Sequence, residues 1–280
     1  MRKAVVDFSS SFPVFLDFQK EKIARQKGNK AIFSQYVRQA AEKFKTKKVA
    51  IASAGIVDDE KKKVYQAAKC YGREVFDFSF LTKAGWEVFL ENDGRAFGWG
   101  NYVFELNRKP ETVLSLVLGT GIGGGFIEQG KVWRGQHGSS LEVSHLFWGG
   151  RLEGKEVFEN WENLSAGQGI EKSFLFLSGK KRKTSEIFLL AQQGDLAAQA
   201  ALQTAGSYFS LGLANLINIF DPEKIVLGGS AIRNNPAFFK QAVRASRRFI
   251  FNQKINPSVH FSRLGEKANL AGVGSLMEEK

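Results

Sequence analysis

Apolar residues recur along this chain in two periods, and the switching between them predicts its elements. Lys3 to Asp7 reads as a first strand and Phe12 to Phe18 as a second, interrupted by Pro13. From Ala31 to Lys45, the residues Ile32, Phe33, Tyr36, Val37, Ala40, Ala41 and Phe44 fall at three-and-four spacing, which predicts an amphipathic helix. Lys48 to Ala52 returns to strand, and Trp86 to Leu90 is another. Gly94 to Phe104 reads as a helix, and Thr112 to Leu118 as an apolar strand that runs into a cluster of glycines. Phe126-Ile127 and Lys131-Val132-Trp133 flank Gly130 as the arms of a hairpin. Helices are expected beyond it. The longest spans about Asp195 to Phe220, with Leu202, Ala205, Phe209, Leu213, Leu216 and Phe220 in one stripe, and Asp221-Pro222 stops it. Lys224 to Leu227 is a short buried strand ending in Gly228-Gly229, followed by helices over Asn235 to Phe249 and Glu266 to Met277. This alternation predicts an α/β protein.

Length and composition narrow the class. With 280 residues and 43% hydrophobic against 24% charged, the chain buries a real core and has room for two lobes. One cysteine, Cys70, closes no intramolecular disulfide, and the start MRKAVVDFSS shows no signal peptide, so a cytoplasmic location is expected. No stretch approaches the roughly 20 apolar residues of a membrane helix. The net charge of +12 suits a polyanionic partner without choosing one: nucleotide, polyphosphate and nucleic acid all qualify. The basic runs at Lys45 to Lys48, Lys61 to Lys63 and Lys180 to Lys183 follow no single periodic face, as solvated surface does.

The chemistry concentrates around Gly119-Thr-Gly-Ile-Gly-Gly-Gly125. Five glycines in seven residues at a strand end let backbone N–H groups approach a phosphate, because no Cβ intervenes. The cluster lacks the Gly-Lys-Ser/Thr ending of a Walker A loop and continues into a hairpin rather than a helix, so it is also read as a plain β-turn. Glu91-Asn92-Asp93 ends an earlier strand, where Asp93 is either a helix N-cap or a base. Glu142 and His145 lie three apart, and Glu162 follows in Trp161-Glu-Asn-Leu164. Carboxylates and an imidazole in this number suit vicinal hydroxyls, although His145 is equally read as a histidine satisfied by backbone.

Together these segments resemble the ROK family of repressors and sugar kinases, within the actin-like ATPase (ribonuclease H-like) fold. The resemblance rests on Ile51-Ala-Ser-Ala-Gly-Ile-Val57, Glu91-Asn-Asp93, the glycine cluster, His137 to His145, Glu162-Asn-Leu164 with Gly167, and Asp221 to Gly229. It covers roughly residues 48 to 275. The resemblance implies two lobes closing on a sugar and ATP, with the small lobe at 1–108 plus 269–280 and the large lobe at 109–268. It implies that Asp93 takes the proton of a sugar hydroxyl, and that Asn92, Glu142, His145 and Glu162 hold the sugar. Phosphates would be held by Gly119, Thr120, Gly121, Gly123 and Gly124 together with Asp7, and the adenosine would lie near Gly228 and Gly229. The expected cofactors are ATP and Mg²⁺, the substrate a hexose or N-acetylhexosamine, and the assembly a homodimer, with no membrane and no nucleic-acid partner.

Three departures from the family pattern shape these expectations. Asp7 is followed by Phe8-Ser-Ser-Ser-Phe-Pro13 where the family carries Gly-Gly-Thr, and serines restrict a backbone that glycines free. No cysteine stands between Leu146 and Glu162, so the family's zinc site, built on the histidine matching His145, is expected to be absent. Leu141 and Ser144 replace glycines around Glu142. The sequence therefore predicts a zinc-free kinase that transfers the γ-phosphoryl group of ATP to a hexose hydroxyl. Its rivals are a catalytically degenerate sugar-binding protein with a regulatory role and, from charge alone, a nucleic-acid binder.

Overall fold

A computed structural model describes residues 2–10, 12–20, 29–152 and 155–279. The chain divides into two compact units, Met1–Pro110 with Gly125–Ser140 and Lys267–Lys280, and Glu111–Gly124 with Leu141–Glu266. This differs from the expected lobe limits chiefly at Gly125–Ser140, which the sequence reading places in the large lobe. Two arginines explain the difference: Arg134 within this segment donates to Glu91, and Arg95 donates to the carbonyl of Gly138, so the segment is tied into the first unit.

In the first unit, β1 (Arg2–Asp7) pairs antiparallel with β2 (Val14–Lys20), with a register shift between Val5 and Val6. Helix α1 (Asn29–Phe44) leads into β3 (Lys48–Ser53), followed by a meander of three short strands, β4 (Ile56–Asp58), β5 (Lys63–Tyr65) and β6 (Val75–Asp77). Short helices α2 (Ala68–Tyr71) and α3 (Ser79–Lys83) precede β7 (Glu87–Asn92), which lies parallel to β3 with Ser53 opposite Asn92. Rings fill the core here: Phe33 meets Phe78 edge-on at 5.3 Å, and Phe78 meets Phe76 at 4.7 Å. After β7 comes α4 (Asp93–Phe104), whose residues 96 to 102 are all buried. It crosses the C-terminal helix (Ala268–Glu278) at very close range, since a Cβ on Gly272 would sit 1.8 Å from the carbonyl oxygen of Ala96 and one on Gly100 would sit 2.3 Å from that of Ala268. Only glycine permits that approach.

The largest sheet is built on β8 (Thr112–Leu118) of the second unit, which is followed through the glycine cluster by β9 (Ile122–Glu128) and β10 (Lys131–Val132), the end of β9 and all of β10 being grouped with the first unit. Two later strands, β13 (Lys224–Gly228) and β14 (Ser258–Phe261), complete a sheet of order β10-β9-β8-β13-β14. The β8, β13 and β14 strands are parallel, which explains their near-continuous apolar sequence. Between Val143–His145, a single 3₁₀ turn, and the helices stands an antiparallel hairpin, β11 (Phe147–Leu152) with β12 (Lys155–Asn160), where the sequence predicts helices. Helices α5 (Trp161–Ser165), α6 (Gly167–Ser178), α7 (Thr184–Gln192) and α8 (Leu196–Phe220) follow, then α9 (Ser230–Asn234) and α10 (Pro236–Ser246) between β13 and β14. The α8 helix starts where Asp195 accepts from the N–H of Ala198 at 2.8 Å and ends at Asp221 in the left-handed conformation, before Pro222. Of its predicted stripe, Leu202, Ala205, Phe209, Leu213 and Leu216 are buried. Among the described residues, no helix is long and apolar enough to cross a membrane.

Candidate functional site

Each unit carries one set of the candidate residues at the C-terminal ends of parallel strands, where open α/β sheets bind ligands. In the first unit, β7 delivers Glu91, Asn92 and Asp93 to the start of α4. The N-cap is Asn92, not Asp93: its Oδ1 accepts from the N–H groups of Gly94 at 2.9 Å and Arg95 at 3.2 Å. Its Nδ2 donates to the carbonyl of Gly55 at 3.2 Å, joining the β3 motif to the β7 motif. Asp93 is consequently the first helical residue, half-buried, with its carboxylate favoured by the N–H dipoles of the first turn. Asn269 on the C-terminal helix donates to the Asp93 carbonyl at 2.8 Å and fixes that backbone from the other side.

Beneath Asp93 lies a network that sequence reasoning misses. The buried Glu91 carboxylate accepts from Arg95 Nε and Arg134 Nε, each at 2.8 Å, and from the N–H of Asn92 at 2.8 Å. Arg95, also fully buried, extends to the carbonyl of Gly138 at 3.0 Å. A buried carboxylate with one guanidinium removed would be left undercompensated, so the three side chains act as a unit. The signal in the sequence is an arginine four residues after Glu91 within an otherwise apolar, glycine-containing helix. Close by, Tyr71 donates to Ser53 at 2.9 Å, because the Ser53 hydroxyl itself donates to the carbonyl of Ala54. Burial pushes the Tyr71 phenol up to about 12, against the lowering effect of its Ser53 bond, with the charges of Cys70 and Asp93 adding smaller upward contributions. It is neutral at physiological pH.

Asp7 ends β1 in the same unit. Its Oδ1 accepts from the N–H of Ser9 at 2.8 Å, and that bond holds its carboxyl below the usual value. Ser10 donates its hydroxyl to the carbonyl of Phe12 at 2.6 Å. Ser11 falls outside the described residues.

In the second unit, the glycine cluster forms the β8 to β9 turn, closed by a bond from the N–H of Gly119 to the carbonyl of Gly121 at 3.0 Å. The N–H of Ile122 donates to Glu162 Oε2 at 3.1 Å, and a Cβ on Gly121 would sit 2.1 Å from that same oxygen. Glycine is thus required for the carboxylate of α5 to seat on the turn. Gly167, opening α6, donates to the carbonyl of Gly119 at 3.3 Å. Gly229 follows β13 with φ +97° against the end of β8, where a Cβ would lie 2.1 Å from the carbonyl oxygen of Leu118. Gly119 to Gly124, Glu162, Gly167, Gly228 and Gly229 are therefore brought together.

Glu142 and His145 reach the same neighbourhood indirectly. The carbonyl of Leu141 lies against Gly124, and the N–H of Trp161 donates to the carbonyl of Leu146 at 2.7 Å, tying the Val143–His145 turn to α5. Leu141 adopts φ +60°, a left-handed backbone that a glycine would hold without strain. Glu142 is half-buried, while His145 is exposed, its Nδ1 3.0 Å from the Ser144 hydroxyl. An aromatic anchor organises the stretch from Leu146 to Glu162. Trp161 is fully buried, donates through Nε1 to the carbonyl of Tyr208 at 3.0 Å, stacks on Phe209 at 5.9 Å and packs flat on Gly212. Among the described residues, no group of three or more His, Cys, Asp or Glu is placed to hold a metal ion.

The ROK family model matches residues 18–280. The glucokinase of Streptomyces coelicolor is 26% identical over 253 residues, covering 82% of this chain and 80% of that protein. The xylose repressor of Bacillus subtilis is 27% identical over 234 residues, covering 82% of this chain but 60% of the repressor. Among solved structures, a ROK family glucokinase from Streptomyces griseus in complex with glucose and AMPPNP superposes with a TM-score of 0.80 at 26% identity, over 100% of this chain and 96% of that one. The fold is the mixed α/β, actin-like ATPase fold of these sugar kinases.

Proposed function

Since this chain belongs to the ROK family, we propose that it is a sugar kinase that transfers the γ-phosphoryl group of ATP to a hexose hydroxyl. In this reading the Asp93 carboxylate accepts the hydroxyl proton, the sugar oxygen bonds to the γ-phosphorus, the bond from that phosphorus to the β,γ-bridging oxygen breaks, and ADP leaves. Asp93 later returns its proton to solvent. Asn92, Glu142, His145 and Glu162 bind sugar hydroxyls, Asn92 through the amide hydrogen beyond its bond to Gly55. Phosphates fall to the turn at Gly119, Thr120 and Gly121 with Gly123 and Gly124, and the adenosine to Gly228-Gly229. Mg²⁺ would be held by the phosphates of the nucleotide and by water, the ligands this ion usually takes, and would neutralise the charge of the transferring phosphoryl group.

The observation that carries the reading is the fixing of Asp93: a carboxylate in a helix first turn, capped by Asn92, braced by Asn269 and underpinned by the Glu91, Arg95 and Arg134 network. Phosphoryl transfer depends mainly on positioning and charge neutralisation, and a positioned base contributes about 10²–10⁴-fold. A second reading, a sugar-binding regulator without catalysis, is favoured by the serines after Asp7, where Ser9 gives its N–H to Asp7 and Ser10 its hydroxyl to Phe12. A coupled assay for ADP release, run with ATP and a panel of hexoses and N-acetylhexosamines, separates them. Sugar-dependent ADP release supports the kinase; sugar binding by calorimetry with no release for any sugar supports the regulator.

A further inference from the structure

The positive charge of this protein is not spread evenly. From Lys224 to Gly265 the chain holds eight Lys and Arg and no Asp or Glu, a net +8 of the total +12. This segment contains α10, whose Lys240 and Arg244 lie four apart on one face, with Arg247 following three residues later as the C-cap. That face lines an open cavity of about 280 Å³ against β14, completed by Asn256, Ser258 and Phe261, and none of its lining residues is acidic. Two of the cations are held in place: Arg247 Nη2 donates to Asn256 Oδ1 at 2.5 Å, and Lys240 Nζ stands 5.7 Å from the centre of the Phe261 ring.

Such a cluster works against the helix that carries it. Like charges four apart destabilise a helix. The helix dipole compensates Arg244 in the last turn, but it gives Lys240, nearer the middle, no such support. A solvated face ordinarily interleaves both signs, whereas here the whole of β13 to β14 carries one, and no carboxylate among the lining residues offsets it.

We propose that the groove between α10 and β14 binds a compact small molecule carrying two or more negative charges on phosphate groups. Guanidinium groups match phosphate oxygens in bidentate geometry, the Lys240 ammonium adds a point charge, and the Ser258 hydroxyl and Asn256 amide supply neutral hydrogen bonds. The volume sits at the small end of ligand pockets, which fits a sugar phosphate or a short inorganic polyphosphate better than an extended polymer. The groove has this chemistry whether or not the chain is a kinase.

The test is calorimetric titration of the full chain with pyrophosphate, tripolyphosphate and glucose 6-phosphate at near-physiological salt. Wild type is expected to bind at least one of them, and which one identifies an inorganic or a sugar-borne phosphate. Arg244→Gln with Arg247→Gln should weaken binding about tenfold or more, as loss of charge-assisted bonds does. A control that removes two exposed cations of the first unit, Lys47→Gln with Lys109→Gln, should leave it unchanged. Lys240→Gln serves as the second groove variant if the double variant loses its folded circular dichroism. The proposal is overturned if none of the three anions binds at millimolar concentration, or if the groove variants bind as wild type does, which would place the anion in the glycine turn. Equal weakening in the control, which would mean bulk charge alone, overturns it too. Groove-dependent binding of single-stranded DNA without binding of any small anion also overturns it, in favour of a nucleic-acid surface.

Discussion

Two turns in this protein follow apolar strands, one in each unit, and they are built in opposite ways. The turn at Gly119 to Gly121 closes with one bond and lets Glu162 take the N–H of Ile122, while no protein acceptor is found among the described residues for the N–H groups of Thr120 and Gly121. In the turn after Asp7, the Ser9 N–H goes to Asp7, the Ser10 hydroxyl goes to Phe12, and Pro13 has no N–H. Phe8 further seals it, stacking on Phe104 at 6.0 Å and lying over Gly274. A strand-to-strand turn becomes an anion site only when its N–H groups have no better acceptor nearby, and a carboxylate two residues back is a better acceptor.

The largest expected effect asks whether either turn serves a reaction at all. Asp93→Asn should lower turnover by about 10²-fold or more, because the amide accepts no proton, while sugar affinity by calorimetry stays near wild type. Turnover like wild type in that variant removes Asp93 from the mechanism. Next, Gly121→Ala pushes a methyl group toward the Glu162 carboxylate, which must shift, so affinity for a non-hydrolysable ATP analogue should fall about tenfold, on the scale of one charge-assisted bond. Unchanged affinity would mean that this turn does not hold the nucleotide.

Restoring freedom to the other turn should work in the opposite direction. Ser9→Gly with Ser10→Gly is expected to tighten nucleotide binding several-fold without altering sugar affinity, a gain below the roughly tenfold worth of one charged hydrogen bond. If wild type already binds ATP at micromolar levels and the glycines add nothing, the serine turn is a competent phosphate loop.

The smallest effect concerns Asp7 itself. Its folded-state pKa lies below the ordinary 3.8, the Ser9 N–H bond being the main cause. A depressed carboxylate pKa means that the stabilisation is present above the unfolded value and disappears as pH falls through the folded one. Asp7→Asn should therefore be less stable than wild type by a constant small amount above the ordinary carboxylate range, and the two should converge in thermal melts as pH falls through the lowered folded-state value. A difference that instead grows on acidification contradicts the bond.

Much of the frame is legible in the amino-acid pattern alone. The stripe on α8, its Asp195 cap and the Asp221-Pro222 stop are local signals, and each is used as the sequence suggests. The Thr112–Leu118 strand and the glycine turn after it also stand where their composition places them. The three-residue strands β4 to β6 are not legible, because a run that short contains less than two periods of alternation. Nor is the β11 to β12 hairpin, whose glycines and aromatics follow no clean pattern and which Trp161 anchors through contacts with α8, 47 residues away.

Sequence by itself determined which residue types this protein has for its chemistry and on which elements most of them ride, since hydrophobic period, caps and glycine freedom act within a few residues. Only the tertiary structure decided what those residues are free to do. It made Asn92 the cap and Asp93 the first residue of the helix, buried Glu91 between two arginines, seated Glu162 on Gly121 and turned Asp7 onto Ser9. Each of these outcomes is a competition for hydrogen-bond partners, and some of the winners are distant in sequence: Arg134 lies 43 residues from Glu91, and Glu162 lies 40 from Ile122. A linear pattern lists the competitors; the packed chain sets the distances that choose among them.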